Sequence, residues 1–213
     1  MVSAALPDGG TGLFLVAPDA TGLTRSGYPT FDGGRAARLA FDGTPATVLG
    51  DGGDATAAIS TALDGARIAA ANEAVGAMHF ALDATSEYLK SRKQFGVPLK
   101  TFQALTFRAA DMYVSLELAT SLTAWATMVL VDGDDAAVAD AAARAGLQVS
   151  RAGRHIGQEA IQLHGGIGMT AEYSVGSYTS HLTALDHLFG DGQFHLSRLA
   201  SGLDGYDEVD PLP

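Results

Sequence analysis

The chain contains no cysteine. A disulfide framework and a thiolate zinc site are both excluded on that ground. Cations are scarce as well: 13 Lys and Arg stand against 24 Asp and Glu, a formal net charge of -11. Such a chain is repelled at long range by nucleic acid and by anionic lipid, so neither is an expected partner. Any anionic ligand must therefore be gripped by a local cationic cluster. The opening residues Met1 to Gly10 have no basic n-region and no long apolar core. No stretch reaches the roughly 20 uninterrupted apolar residues of a membrane span. A soluble, cytoplasmic chain outside the membrane is the expectation. What the sequence does have is apolar content, 47% over 213 residues, enough to form a sizeable core.

Residues 1–60 are rich in Gly, Asp, Thr and Pro, with short apolar runs at Gly12-Leu-Phe-Leu-Val-Ala17, Arg35-Ala-Ala-Arg-Leu-Ala-Phe41 and Ala46-Thr-Val-Leu49. Turn signals between such runs indicate short strands. A few strands with unpaired edges need partners to cover them, so this stretch reads as a partial β domain. From Ala62 the period changes. Ile68, Ala71, Val75, Met78, Leu82 and Leu89 recur at helical spacing, giving a first helix up to about Gly96. After Gly96-Val-Pro98 a second pattern runs through Phe102, Leu105, Phe107, Ala110, Tyr113, Leu116, Ala119, Leu122, Trp125 and Met128. An Ala-rich third helix is expected from about Asp135 to Leu163, and a fourth from about Glu172 to Leu203 with an interruption at Gly190-Asp-Gly192. The fold class is mainly α, with residues 61–203 as an antiparallel four-helix bundle and 204–213 as an acidic tail.

Two stretches carry chemistry. In Lys90-Ser-Arg-Lys-Gln-Phe-Gly-Val-Pro-Leu-Lys-Thr-Phe-Gln103 cations gather at a helix end inside an acidic chain. Arg92 can fork two hydrogen bonds onto a phosphate, and the ring of Phe95 with the amides of Gln94 and Gln103 can flank a planar heterocycle. The same cations also fit as complements to a helix C-terminal dipole, with Gly-Val-Pro as a plain turn. In Gln162-Leu-His-Gly-Gly-Ile-Gly-Met169 consecutive glycines let a backbone approach a ligand closely, or simply end a helix.

Together and in this order, the two stretches resemble the acyl-CoA dehydrogenases. The matching signatures are Ser91-Arg-Lys-Gln-Phe-Gly-Val-Pro-Leu with Phe102-Gln103, then Ala109-Ala-Asp-Met112, then Gln158 through Tyr173. The resemblance implies the end of a middle β domain followed by the C-terminal bundle of that family, with FAD as cofactor and an acyl-CoA thioester as substrate. Arg92 would contact the FAD pyrophosphate, and Gln94, Phe95 and Gln103 would line its pyrophosphate or adenosine side. Gln162, Gly165 and Gly166 would approach a cofactor bound to a neighbouring protomer. A homo- or hetero-oligomer with related subunits follows from this.

The family reaction removes a proton alpha to the thioester, so a carboxylate must stand beside that carbon. By the resemblance the base is expected at Gly190, in Leu188-Phe-Gly-Asp-Gly-Gln193, or alternatively at Ala66, in Leu63-Asp-Gly-Ala-Arg67. Neither is a carboxylate, and no catalytic residue is assigned. Asp191 and Glu73 are the displaced candidates. The resemblance therefore includes the base-lacking subunits of heteromeric family members. A shortened dehydrogenase gene would read the same way.

Other classes fare less well. A di-metal bundle would need Glu-x-x-His pairs, and His155, His164, His181, His187 and His195 do not pair at helical spacing, so no metal site is expected. His164-Gly-Gly166 has no Gly-x-Ser-x-Gly elbow to serve a hydrolase. The rival from another class is a non-enzymatic structural or interaction bundle. Trp125 and the Met/Phe stripe of the second helix are expected in the core and do not discriminate.

Overall fold

The computed structural model describes residues 1–170 and 172–203, so the acidic tail and Ala171 lie outside the described residues. The chain forms two compact units, Met1–Leu63 and a second that begins at Asp64.

In the first unit, β1 (Val2–Ala5), β2 (Thr11–Leu15) and β5 (Thr47–Val48) make a three-stranded antiparallel sheet in the order β1-β2-β5. β3 (Leu23–Pro29) and β4 (Arg35–Phe41) pair separately over seven residues, from Leu23 opposite Phe41 to Pro29 opposite Arg35. Two of these five strands, β1 and β3, carry no strong strand signal. β3 contains both Gly27 and Pro29, which disfavour strand interiors, and its long ladder with β4 overrides that local preference. Tyr28, Leu39 and Phe41 of this hairpin are exposed.

Asp54 closes the unit. Its carboxylate accepts hydrogen bonds from the backbone N–H of Thr11 (2.9 Å) and from the hydroxyl (2.6 Å) and N–H (3.0 Å) of Thr56. Those donors hold its pKa below the ordinary value. They also start α1 (Thr56–Ser91), about two turns earlier than the apolar period alone indicates.

The helical unit contains α1, α2 (Gln103–Asp132), α3 (Asp135–His164), α4 (Val175–Leu188) and α5 (Gly192–Ala200). The last two are the expected fourth helix, broken where Gly190 takes φ 116°. The mainly α class and the bundle preceded by strands are as the sequence indicates. Asp134 caps α3, accepting from the N–H of Ala137 at 2.8 Å, and Asp191 caps α5, accepting from the N–H of Phe194 at 2.8 Å. The main core joins Met78 and Leu82 of α1, Met112 and Leu116 of α2, Ile156 of α3 and Leu182 of α4. Ala71, Ala74, Ala77 and Ala81 on α1 and Ala152 and Ala160 on α3 are buried with them.

α2 departs from the expectation. Its buried residues are Met112, Leu116, Ala119, Thr123 and Ala126, whereas Phe107, Trp125 and Met128 are 60%, 37% and 61% exposed. The helix is apolar nearly all round, so periodicity cannot say which side faces inward. Burial is decided by packing against α3, where Arg108 holds Glu159 through a two-point ion pair of 2.5 and 2.9 Å. α2 is also long and apolar enough to cross a membrane, with a window of mean hydropathy 1.5, although none of its uninterrupted apolar runs approaches 20 residues.

Candidate functional site

α1 ends at Ser91 rather than near Gly96, because the next residues fold back as a minimal hairpin. β6 (Lys93–Gln94) pairs with β7 (Val97–Pro98), and the Leu99 N–H donates to the Arg92 carbonyl at 2.8 Å. Phe95 and Gly96 form the two-residue turn, with φ values of 53° and 82°. A two-residue turn with both residues left-handed normally takes Asn-Gly. Phe95 is the one non-glycine residue at positive φ among the described residues, and it is 92% exposed. Its ring meets that of Phe102 edge to face, with centroids 6.1 Å apart, in a conformation that costs a non-glycine residue energy.

The surroundings suit an anion. Arg92, Lys93 and Lys100 are exposed, and none of them enters an ion pair among the described residues. Gln103 opens α2, whose N-cap residue Phe102 gives no side-chain hydrogen bond. The N–H groups of Phe102 and Leu105 donate to the Leu99 and Phe102 carbonyls at 3.0 and 2.9 Å, which leaves those of Gln103 and Ala104 at the positive end of the helix dipole. Gln94 and Gln103 are exposed as well.

The glycine stretch lies at the same end of the bundle. Tyr88, one turn before Arg92, stacks on His164 with ring centroids 4.5 Å apart, and Tyr173 packs on both rings. His164 is buried and its Nδ1 donates to the Ala160 carbonyl at 2.7 Å. Burial holds its pKa below the ordinary histidine value. This aromatic clasp ties the end of α1 to the end of α3. Gly165, at φ 66°, donates its N–H to the carbonyls of Ile161 and Gln162. A Cβ at Gly165 or Gly166 would meet nothing within 4 Å, and Gln162 is exposed. The bare backbone faces open space, as close approach by a ligand requires.

The opposite end holds the two positions where a base is expected. Asp64 of α1 is 2% exposed and binds two guanidinium groups: Arg67 at 2.8 Å and Arg198 of α5 at 2.7 Å. Burial pushes this carboxyl up, but the hydrogen bonds and charges of Arg198 and Arg67 together bring its pKa below the ordinary value. Arg67 further donates from Nε to the Phe189 carbonyl at 2.9 Å, which fixes the turn between α4 and α5. Both guanidiniums lie over the Phe194 ring, at 4.9 and 5.8 Å from its centroid.

That ring fills the space a side chain at 190 would need. A Cβ on Gly190 would fall 2.2 Å from Cδ1 of Phe194, at a φ that L-residues rarely adopt. The two displaced carboxylates are committed elsewhere. Asp191 caps α5, and Glu73 accepts from Nε2 of His181 at 2.8 Å. The Asp64, Arg67 and Arg198 cluster had one sequence signal, a carboxylate on the apolar stripe that continues through Ile68 and Ala71. Its second arginine, 134 residues away, had none.

The family description "Acyl-CoA dehydrogenase, C-terminal domain" matches residues 53–203. The chain belongs to the acyl-CoA dehydrogenase family. It is 35% identical over 154 residues to the "Probable acyl-CoA dehydrogenase YngJ" of Bacillus subtilis, covering 72% of this chain and 40% of that one. To "Acyl-CoA dehydrogenase IpdE2" of Mycobacterium tuberculosis it is 39% identical over 138 residues, 65% of this chain and 41% of that one. A solved variant of the "Tcur3481-Tcur3483 steroid ACAD" superposes with a TM-score of 0.85 at 35% identity, over 96% of this chain and 54% of that one. The chain thus spans about half, or less, of the length of these dehydrogenases.

Proposed function

We propose that this chain is the flavin-handling part of an FAD-dependent acyl-CoA dehydrogenase assembly, and that it supplies no base of its own. The observation that carries the reading is the hairpin at the end of α1: unpaired cations, free helix N–H groups and an exposed, strained Phe95 meet on one surface. These donors fit a pyrophosphate, with Arg92 as the forked partner. Phe95, Gln94 and Gln103 then flank the adenosine side. Gln162, Gly165 and Gly166 offer backbone and amide contacts at the same end. When bound, FAD would take up the beta hydrogen as hydride while the alpha proton leaves to a base.

The reactive position and the phosphate-binding hairpin lie at opposite ends of α1. From Ala66 to Ser91 the helix runs about 37 Å at 1.5 Å per residue. One FAD cannot reach both ends of a single chain. The site is therefore completed between subunits, and an acyl-CoA dehydrogenase-like partner provides the base for the cofactor that this chain's hairpin grips. The exposed apolar face of α2, with Phe107, Val114, Leu118, Trp125 and Met128, gives such an assembly a seam.

The test is to purify the chain alone and together with base-carrying dehydrogenase subunits, and to follow melting temperature and flavin absorbance on adding FAD. A rise in melting temperature and retained flavin in the mixed sample support the reading. A colourless, unshifted sample in every combination leaves the non-enzymatic bundle as the function.

A further inference from the structure

α5 is the least anchored helix of the bundle. Neither core cluster takes a residue from it. Of its 9 residues only His195 is buried, at 4% exposure, while Phe194 and Leu196 are each 39% exposed. A helix this short does not persist in water by itself, so α5 exists only while it is docked. Two side chains hold it there. Arg198 reaches back to Asp64 of α1 at 2.7 and 3.3 Å. His195 is pressed against α3 at Gly146, where a Cβ would come within 2.4 Å of Nε2. Its Nδ1 is closed off from solvent and has no hydrogen-bond partner among the described residues.

The surroundings make this ring a poor place for a second proton. Burial weighs most against the imidazolium, followed by the cations Arg67 of α1 and Arg198 of α5. The Gly190 carbonyl and Asp186 of α4 favour it, but less. Asp64 is committed to the two guanidiniums and Asp191 to the cap of α5. Arg154 of α3 and His187 of α4 stand on the wall of the adjoining cavity and add no counter-charge. The docked histidine therefore titrates below its ordinary value of 6.5. An undocked helix takes up the proton that the docked one refuses, so docking is complete above 6.5 and weakens as pH falls below it. Asp64 keeps its charge in that range, because its carboxyl titrates below 3.8.

We propose that α5 is an acid-released latch: protonation of His195 drives this one helix off the bundle while α1 to α4 stay folded. Phe189, Gly190 and His195 line a cavity of about 320 Å³ shared with Ala71 of α1 and Gly153 of α3. Release of α5 opens that cavity to solvent and frees the turn at Gly190. The latch needs no cofactor.

The test is amide hydrogen exchange on the full chain without FAD, from about pH 7.5 to about pH 5, with protection corrected for the intrinsic rate. Amides of residues 195–200 exchange through an opening of their own, at lower protection than the core amides of Met78, Met112 and Ile156. Below about pH 6.5 their protection falls by up to about tenfold per pH unit, the linkage of one proton. His195→Gln, which cannot titrate, removes that fall. Exchange of α5 only together with the core, pH-independent protection of α5 in the wild type, or an unchanged fall in His195→Gln would each overturn the proposal. If His195→Gln fails to fold, the imidazole pKa of His195 read by NMR in the wild type decides, and a value at or above about 6.5 overturns the latch. Because no flavin is present, either result leaves the FAD reading standing.

Discussion

The two ends of the helical unit are built on opposite principles. At the α1–α2 end several groups are left unpaired: Arg92, Lys93 and Lys100 lack ion pairs among the described residues, α2 begins without a side-chain cap, and Phe95 is strained and 92% exposed. At the α4–α5 end the groups that shape the turn are bound to one another. Asp64 holds Arg67 and Arg198, Arg67 holds the Phe189 carbonyl, and Asp191 holds the N–H of Phe194. The first end carries the charge and the donors that the proposed anionic cofactor would need. The second is a joint whose Asp64, Arg67, Arg198 and Asp191 are used in holding the turn itself. A family member that had merely lost a glutamate would show a vacant place at 190, whereas here the Phe194 ring occupies it.

The sharpest way to break this contrast is at Asp64. Asp64→Asn leaves two buried or half-buried guanidiniums without their counter-charge, and should destabilise the chain by about 3 kcal/mol in urea unfolding. The same carboxylate makes stability depend on pH. Its pKa is lowered by folding, so its contribution is complete above the unfolded value of 3.8 and disappears as pH falls through the lower folded value. Asp64→Asn should flatten that acid limb. A mutant as stable as the wild type would mean that the joint is not held by this cluster.

Next in size is Gly190. Gly190→Ala places a Cβ into the Phe194 ring at a left-handed φ and should cost about 2 kcal/mol. Gly190→Glu should lose at least as much and gain no dehydrogenase activity with added FAD and acyl-CoA. An active, stable Gly190→Glu chain would show that the turn is an ordinary base site lacking only its carboxylate. At the other end the sign reverses. Phe95→Asn supplies the residue that the hairpin turn prefers and should stabilise the chain by about 1 kcal/mol while weakening FAD retention. A variant that is both less stable and equally good at holding FAD would remove Phe95 from the site.

Much of this was legible in residues and some was not. The α1 stripe from Ile68 to Leu89 identifies a buried helix face because polar residues interrupt it at the right period. α2 offers no such interruption, so Trp125 and Met128 read as core and prove exposed. The hairpin and glycine stretches stand out because cations and glycines are locally dense. The joint at Gly190 does not, since Asp64 and Arg198 meet only through the fold, and nothing in Gly190-Asp-Gly192 announces that Phe194 turns back over it. His195 likewise looks like any helical histidine, and its burial against Gly146 is visible only in the fold.

One measurement separates the two ends most directly: the FAD content of the assembly formed with a base-carrying dehydrogenase subunit, for wild type, Arg92→Ala and Asp191→Ala. Arg92→Ala should retain FAD about tenfold to a hundredfold more weakly, the worth of a charged hydrogen-bonded contact, with the melting temperature of the apo chain unchanged. Asp191→Ala should keep its flavin and lose only about 1 kcal/mol of stability as a missing helix cap. Full flavin content in Arg92→Ala, or its loss in Asp191→Ala, would contradict the division of labour between the two ends.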